Sequence, residues 1–112
     1  MDKTAALSAL SALSQDMRLD VFRLLVQAGG TGVAAGDIAR RLDALPNTLS
    51  ANLKILAQAG LVRAERHGRT ILYHADFTGM RDLLAFLMED CCNGAPELCA
   101  PVIDAVTCGC PE

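Results

Sequence analysis

"LPNTLSANLKILAQAGLV", residues 45–62, carries the pattern that decides the fold. Leu49, Leu53 and Leu56 recur at i, i+4 and i+7, which is the spacing of one helix face. At about 100° per residue, Asn47, Ser50, Ala51, Lys54 and Gln58 fall on the opposite face. That outer face is small, polar and able to hydrogen-bond, with one positive charge and no acid. Pro46 suits the first turn of such a helix, and Gly60 suits its end.

Working outward, residues 30–46 ("GTGVAAGDIARRLDALP") predict a loop, a short helix from about Ala35 to Leu42, and a tight turn at "DALP". On the other side, residues 61–76 ("LVRAERHGRTILYHAD") alternate like a β-hairpin. Val62 and Ala64 face one way and Arg63 and Glu65 the other, with "HGR" as the turn and Ile71 and Tyr73 on the return strand. Residues 4–13 ("TAALSALSAL") predict a first helix with Thr4 as N-cap and Ala6, Leu7 and Leu10 at helical spacing. Residues 14–30 predict a second, capped by Ser14, with Asp16 favouring its dipole and Leu19, Phe22 and Val26 as the buried stripe. Met80, Leu83, Leu84 and Leu87 mark a last helix that should stop near Asn93-Gly94. The tail from Ala100 onward is too interrupted by Gly and Pro to assign.

The 112 residues make one modest domain, 52% apolar and poor in aromatics, as suits helices packed through Leu and Ala. The stripes Leu7/Leu10 and Met80/Leu83/Leu84/Leu87 exceed what one small core needs, so a second copy is expected to cover them. Residues 1–13 lack a basic start followed by an unbroken apolar run, and no stretch is long enough to span a membrane. The expectation is a cytoplasmic chain without a membrane partner, whose thiols stay reduced and serve metal or redox chemistry. The net charge of −3 is uneven: residues 37–76 hold six Lys or Arg against four acids, residues 77–112 one against six. This split is compatible with a nucleic-acid-facing half, and equally with scattered surface charge.

Two short helices, a tight turn and then a basic hairpin form the order of a winged helix-turn-helix, a mainly α (α+β) fold. With "LSQDMRLDVFRLL" (13–25), "LPNTLSANLKILAQAGLV" (45–62) and "RAERHGRTILYHAD" (63–76), the sequence resembles the ArsR/SmtB family of metal-responsive repressors. The resemblance implies a homodimer through the first and last helices. It also implies a recognition helix set against double-stranded operator DNA with an inverted repeat. On this reading residues 1–92 form the DNA-binding and dimerisation domain, and residues 93–112 a tail completing a ligand site. Expected DNA contacts are Asn47, Thr48, Ser50, Ala51, Asn52 and Lys54 on the helix, with Arg66, His67, Gly68 and Arg69 at the wing tip. The chain departs from the family in two ways. The Cys-x-Cys box of many members is absent from "AGDIARRL", and the carboxylate-and-imidazole site of others lacks its histidines. His67 and His74 both fall in the wing, where each reads as a DNA contact or a solvated surface residue.

The thiols of "EDCCNGAPELC" (89–99) remain. Cys91, Cys92 and Cys99 offer three soft sulfur ligands, which favour thiophilic ions. Three sulfurs in a pyramid satisfy trivalent arsenic (arsenite) or antimony, whereas structural zinc wants a fourth ligand. Other readings stay open: small buried hydrophobes, a disulfide switch, or a zinc or cadmium site, zinc drawing on Cys108 and Cys110. The resemblance favours the metalloid as inducer, with no organic cofactor. An enzyme is not expected. Glu89, Asp90 and Glu97 surround the cysteines and would suppress a nucleophilic thiolate. No Gly-rich phosphate loop or Ser/His/Asp arrangement appears elsewhere.

Overall fold

Pro46 opens a helix at Pro46–Gln58 because its missing N–H is an orphan in the first turn anyway. In the computed structural model, which describes residues 1–89 and 96–107, the leucines of this helix point inward as their spacing predicts. Leu49, Leu53 and Leu56 are all buried, while Asn47, Thr48, Ser50, Ala51, Lys54 and Gln58 are exposed.

The elements in chain order are α1 (Lys3–Leu13), α2 (Asp16–Ala28), a 3₁₀ turn (Gly29–Thr31), β1 (Val33–Ala34), α3 (Ala35–Leu42), α4 (Pro46–Gln58), β2 (Val62–His67), β3 (Thr70–Ala75), α5 (Phe77–Leu87) and α6 (Pro96–Thr107). The strands form one antiparallel sheet in the order β1-β3-β2. Val62 pairs with Ala75 and His67 with Thr70, so the loop is the two residues Gly68-Arg69 rather than "HGR". Gly68 takes φ +64°, which a two-residue hairpin loop demands and glycine supplies without steric cost. β1, only two residues long, pairs with Tyr73 and Leu72 and was not expected.

Two helix starts differ from the sequence reading. The Asp2 carboxylate, not Thr4, caps α1 by accepting from the Ala5 N–H at 2.7 Å. Gln15, not Ser14, caps α2 by accepting from the Arg18 N–H at 2.9 Å. Ser14 instead closes α1, its hydroxyl donating to the Ser11 carbonyl. α3 ends on Asp43 at φ +52°, a conformation Asp tolerates, and the Ala44 N–H then closes onto the Ala39 carbonyl at 2.9 Å.

The core is built from Val21, Phe22 and Leu25 of α2, Ile38 of α3, the α4 leucines, Leu61 and Val62 of the wing base, and Leu83 of α5. Leu19 and Val26 are exposed, so the buried stripe of α2 is rotated from the expected Leu19/Phe22/Val26. Phe22 belongs to both possible stripes, and packing against α4 and β3 selects the one with Val21 and Leu25. α1 buries Ala6, Ala9 and Ala12, small residues that let it lie close, and leaves Leu7 and Leu10 outward. Leu84 and Leu87 of α5 are likewise about half exposed, at 47% and 51%.

α5 begins where two backbones nearly touch. Asp76 caps it through the Gly79 N–H, and the Asp76 N–H donates to the Leu61 carbonyl at 2.8 Å. A Cβ on Gly79 would lie 1.8 Å from the Gly60 carbonyl oxygen. The helix stops at Leu87, short of the expected Asn93-Gly94, which lie outside the described residues. Beyond them residues 100–107 of the tail that resisted assignment belong to α6, with Pro101 inside it. Among the described residues, no helix is long and apolar enough to cross a membrane.

Candidate nucleic-acid interface

α3 packs against α4, and α4 in turn packs against β2 of the β2-β3 wing. The exposed side of α4 carries Asn47, Thr48, Ser50, Ala51 and Lys54, five of the six helix positions expected to contact DNA. Arg66, His67, Gly68 and Arg69 are exposed together at the wing tip. Lys54, Arg66 and Arg69 form no ion pair among the described residues, so their charges are available to a polyanion. Arg63 is different. It donates to Glu65 at 3.1 Å, and His67 meets the same carboxylate through Nε2. The Arg63 guanidinium first, and His67 second, hold the Glu65 carboxyl below the usual carboxylate range. On β2, then, positive charge is partly answered by Glu65, and the unpaired cations sit at the tip.

Asn52 does not belong to this surface. It is only 7% exposed. Its Oδ1 accepts from Arg18 Nη1 at 3.1 Å, and its Nδ2 lies 3.1 Å from Met17 Sδ. The side chain is occupied within the protein and is not presented to a groove. Its spacing already carried this signal, since Asn52 lies three residues after Leu49 and four before Leu56, on the leucine face. The sequence reading missed Arg18 altogether. Arg18 Nε also donates to the Ala12 carbonyl at 2.7 Å, joining the end of α1 to α4.

His74 is a second correction. It is 4% exposed, and its two ring nitrogens lack hydrogen-bond partners among the described residues. It is neither a solvated wing residue nor a DNA contact. Gly32 makes room for the ring: a Cβ there would lie 2.6 Å from His74 Cε1.

Of the three expected sulfur ligands, Cys91 and Cys92 lie outside the described residues, as do Cys108 and Cys110. Cys99 is on α6, buried at 6% exposure and disulfide-bonded. A sulfur in a disulfide is not a thiolate, so metalloid ligation by Cys99 requires its reduction first. Among the described residues, no group of three or more His, Cys, Asp or Glu side chains is arranged to hold a metal ion.

The chain matches a family model described as a helix-turn-helix domain over residues 13–65. No curated protein sequence matches it. Among solved structures it is similar to the homodimeric winged helix-turn-helix DNA-binding domain Mb0332 of Mycobacterium bovis, a possible ArsR-family transcriptional regulator. That likeness has 30% identity over 79% of this chain and 84% of the other, with a TM-score of 0.61. An ArsR-like transcriptional regulator from Rhodococcus sp. RHA1 is 22% identical over 93% of each chain, with a TM-score of 0.70. A protein described as a possible transcriptional regulator for arsenical resistance is 21% identical over 94% of this chain and 98% of the other, with a TM-score of 0.63. The last two likenesses bear on the fold alone.

Proposed function

The chain belongs to the ArsR family of winged helix-turn-helix transcriptional regulators, and from that premise we propose that it is a homodimeric repressor released from operator DNA by trivalent arsenic or antimony. The DNA half of this reading rests on one observation. An exposed, acid-free face of α4 stands beside a wing tip whose Arg66 and Arg69 are unpaired among the described residues. α4 enters the major groove with Thr48, Ser50 and Lys54 foremost, and the wing tip follows the backbone. The second copy is supported by the outward Leu7, Leu10, Leu84 and Leu87, and by the homodimeric description of the Mycobacterium bovis neighbour. Pairing through α1 and α5 would bring two α4 helices to successive turns of an inverted repeat, about 34 Å apart.

The ligand half rests on the chemistry of the donors. Cys91, Cys92 and Cys99 are soft, and a trivalent metalloid takes three sulfurs without needing a fourth ligand. Release requires that the ligand favour the off-DNA form; a hundredfold loss of affinity corresponds to about 2.7 kcal/mol of coupling. A second reading draws on the disulfide at Cys99: the same cysteines would act as a thiol-disulfide switch, with oxidation in place of the metalloid.

The test is fluorescence anisotropy on a duplex selected by the protein from a random library, with arsenite added under reducing conditions. Cys91→Ser, Cys92→Ser and Cys99→Ser should each bind DNA normally and fail to release it, because two sulfurs leave the ion one ligand short. Replacing Cys108 and Cys110 together should leave release intact. Normal release by Cys99→Ser, or its loss in the Cys108/Cys110 double variant, would move the site to a different thiol set. Release by oxidant alone, with no response to arsenite, would favour the switch.

A further inference from the structure

We propose that Arg18 is a positioning residue for DNA recognition, which fixes the rotation of α4 by tying Asn52 to the C-terminal end of α1. The proposal rests on the reading of α4 as the recognition helix. It begins with an asymmetry in the core. Leu49, Leu53 and Leu56 hold α4 down through burial, and burial is non-directional. Leucine contacts alone tolerate a small rotation of the helix about its axis. Hydrogen bonds do not, because they weaken steeply outside a narrow range of distance and angle.

The buried face of α4 has one polar side chain, Asn52, and it is held from two sides. Arg18 Nη1 donates to its Oδ1 at 3.1 Å, and Met17 Sδ lies 3.1 Å from its Nδ2. The other arm of the Arg18 fork, Nε, donates to the Ala12 carbonyl at 2.7 Å. That carbonyl is in the last turn of α1, where it has no partner within the helix. The last turn of α1 contains no basic residue of its own. Arg18 therefore supplies both the missing donor and the cation that a helix C-terminus favours. It forms no ion pair among the described residues, so its charge is not engaged elsewhere.

One planar group thus links the end of α1, the start of α2 and the middle of α4. The outward side chains of α4 end about 5–6 Å from the helix axis. A rotation of about 20° would carry them about 2 Å, enough to break a hydrogen bond to a base edge. Contacts to phosphate, made by long flexible cations, would survive such a shift. Loss of the clamp should therefore cost sequence discrimination before it costs general affinity.

The experiment compares two duplexes of equal length, one selected by the wild-type protein from a random library and one scrambled. Affinities are measured across a salt series, with a thermal melt of each variant. Arg18→Met, Arg18→Lys and Asn52→Ala should each lower the ratio of selected to scrambled affinity by about tenfold or more. The affinity for scrambled DNA and the salt slope should stay at their wild-type values. Lysine keeps the charge but cannot reach both acceptors, so it should not rescue. The Arg18→Met/Asn52→Ala double variant should lose no more than one single variant does, since both break one link. If Arg18→Met does not fold, Arg18→Lys and Asn52→Ala read the same link. A merely structural role would lower the melting temperature and leave the ratio where it was. An unchanged ratio, a double loss equal to the product of the single losses, or a salt slope reduced by about one phosphate contact would each overturn the proposal. If the wild-type protein selects no duplex at all, it is the DNA-binding reading that fails.

Discussion

Replacing Gly79 by Ala tests how tightly α5 is set against the end of α4. The added Cβ would lie 1.8 Å from the Gly60 carbonyl oxygen and 3.0 Å from its carbon, where ordinary contact begins at 3.4 Å. Both partners are backbone, so no rotamer change relieves the clash. Either the first turn of α5 lifts or the Gly60 turn, held at φ +80°, must rearrange. Overpacking a well-filled site costs about 1–3 kcal/mol, and a backbone-on-backbone clash belongs at the upper end. Against this, Ala in place of Gly gains up to about 1 kcal/mol of helix propensity. The net expectation is a loss of about 2 kcal/mol, or about 8–16 °C in melting temperature for a domain of this size. Gly36→Ala is the internal control. Its Cβ would meet only the Arg40 side chain at 3.6 Å, so the propensity gain should stand alone and raise the melting temperature. The assay is a thermal melt by circular dichroism at fixed protein concentration, because association would shift the midpoint. If Gly79→Ala rises in step with Gly36→Ala, the close approach of α5 to Gly60 is wrong.

Three further outcomes follow from the surface. Lys54→Ala should weaken DNA binding and lower the salt slope by about one phosphate contact; an unchanged slope would mean that Lys54 faces away from the duplex. Arg66→Ala with Arg69→Ala should reduce affinity for selected and scrambled duplexes alike, read by anisotropy, since phosphate contacts position without specifying; a loss confined to the selected duplex would make the wing a base reader. Leu84→Glu should shift the protein towards a single copy in sedimentation velocity, because it places charge on an exposed apolar face of α5. An unchanged mass would put the interface elsewhere.

The parts legible in the sequence were those governed by one period. Leu49, Leu53 and Leu56 satisfy only one helix face, so α4, its Pro46 start and its exposed side followed at once. The expected Leu19/Phe22/Val26 stripe of α2 was wrong, because Phe22 lies on two overlapping stripes and packing against α4 and β3 buries the one with Val21 and Leu25. Two caps lie one or two positions from the expected ones: Asp2, as good a capping type as Thr4, accepts from the Ala5 N–H, and Gln15, one residue after Ser14, accepts from the Arg18 N–H. Asn52 was assigned by residue chemistry when its spacing placed it among leucines. Its partner Arg18 is 34 positions away, a pairing that no local pattern encodes. The same holds for His74, which is buried against Gly32, and for β1, which is too short to show alternation. In α6, Pro101 interrupted the pattern without interrupting the helix.

Among the described residues, the sheet order β1-β3-β2 leaves β2 with one side unpaired along its six residues. A free strand edge is a template on which another chain can add a strand, and proteins discourage this with charge. β2 carries Arg63, Glu65, Arg66 and His67 in sequence "VRAERH", and all but Glu65 are exposed. The opposite edge, β1, is guarded by brevity, having only two residues to offer. Charge of this kind is what discourages one edge strand from adding to another, so replacing Arg63, Glu65, Arg66 and His67 by apolar residues is expected to turn β2 into an aggregation-prone edge, read by light scattering.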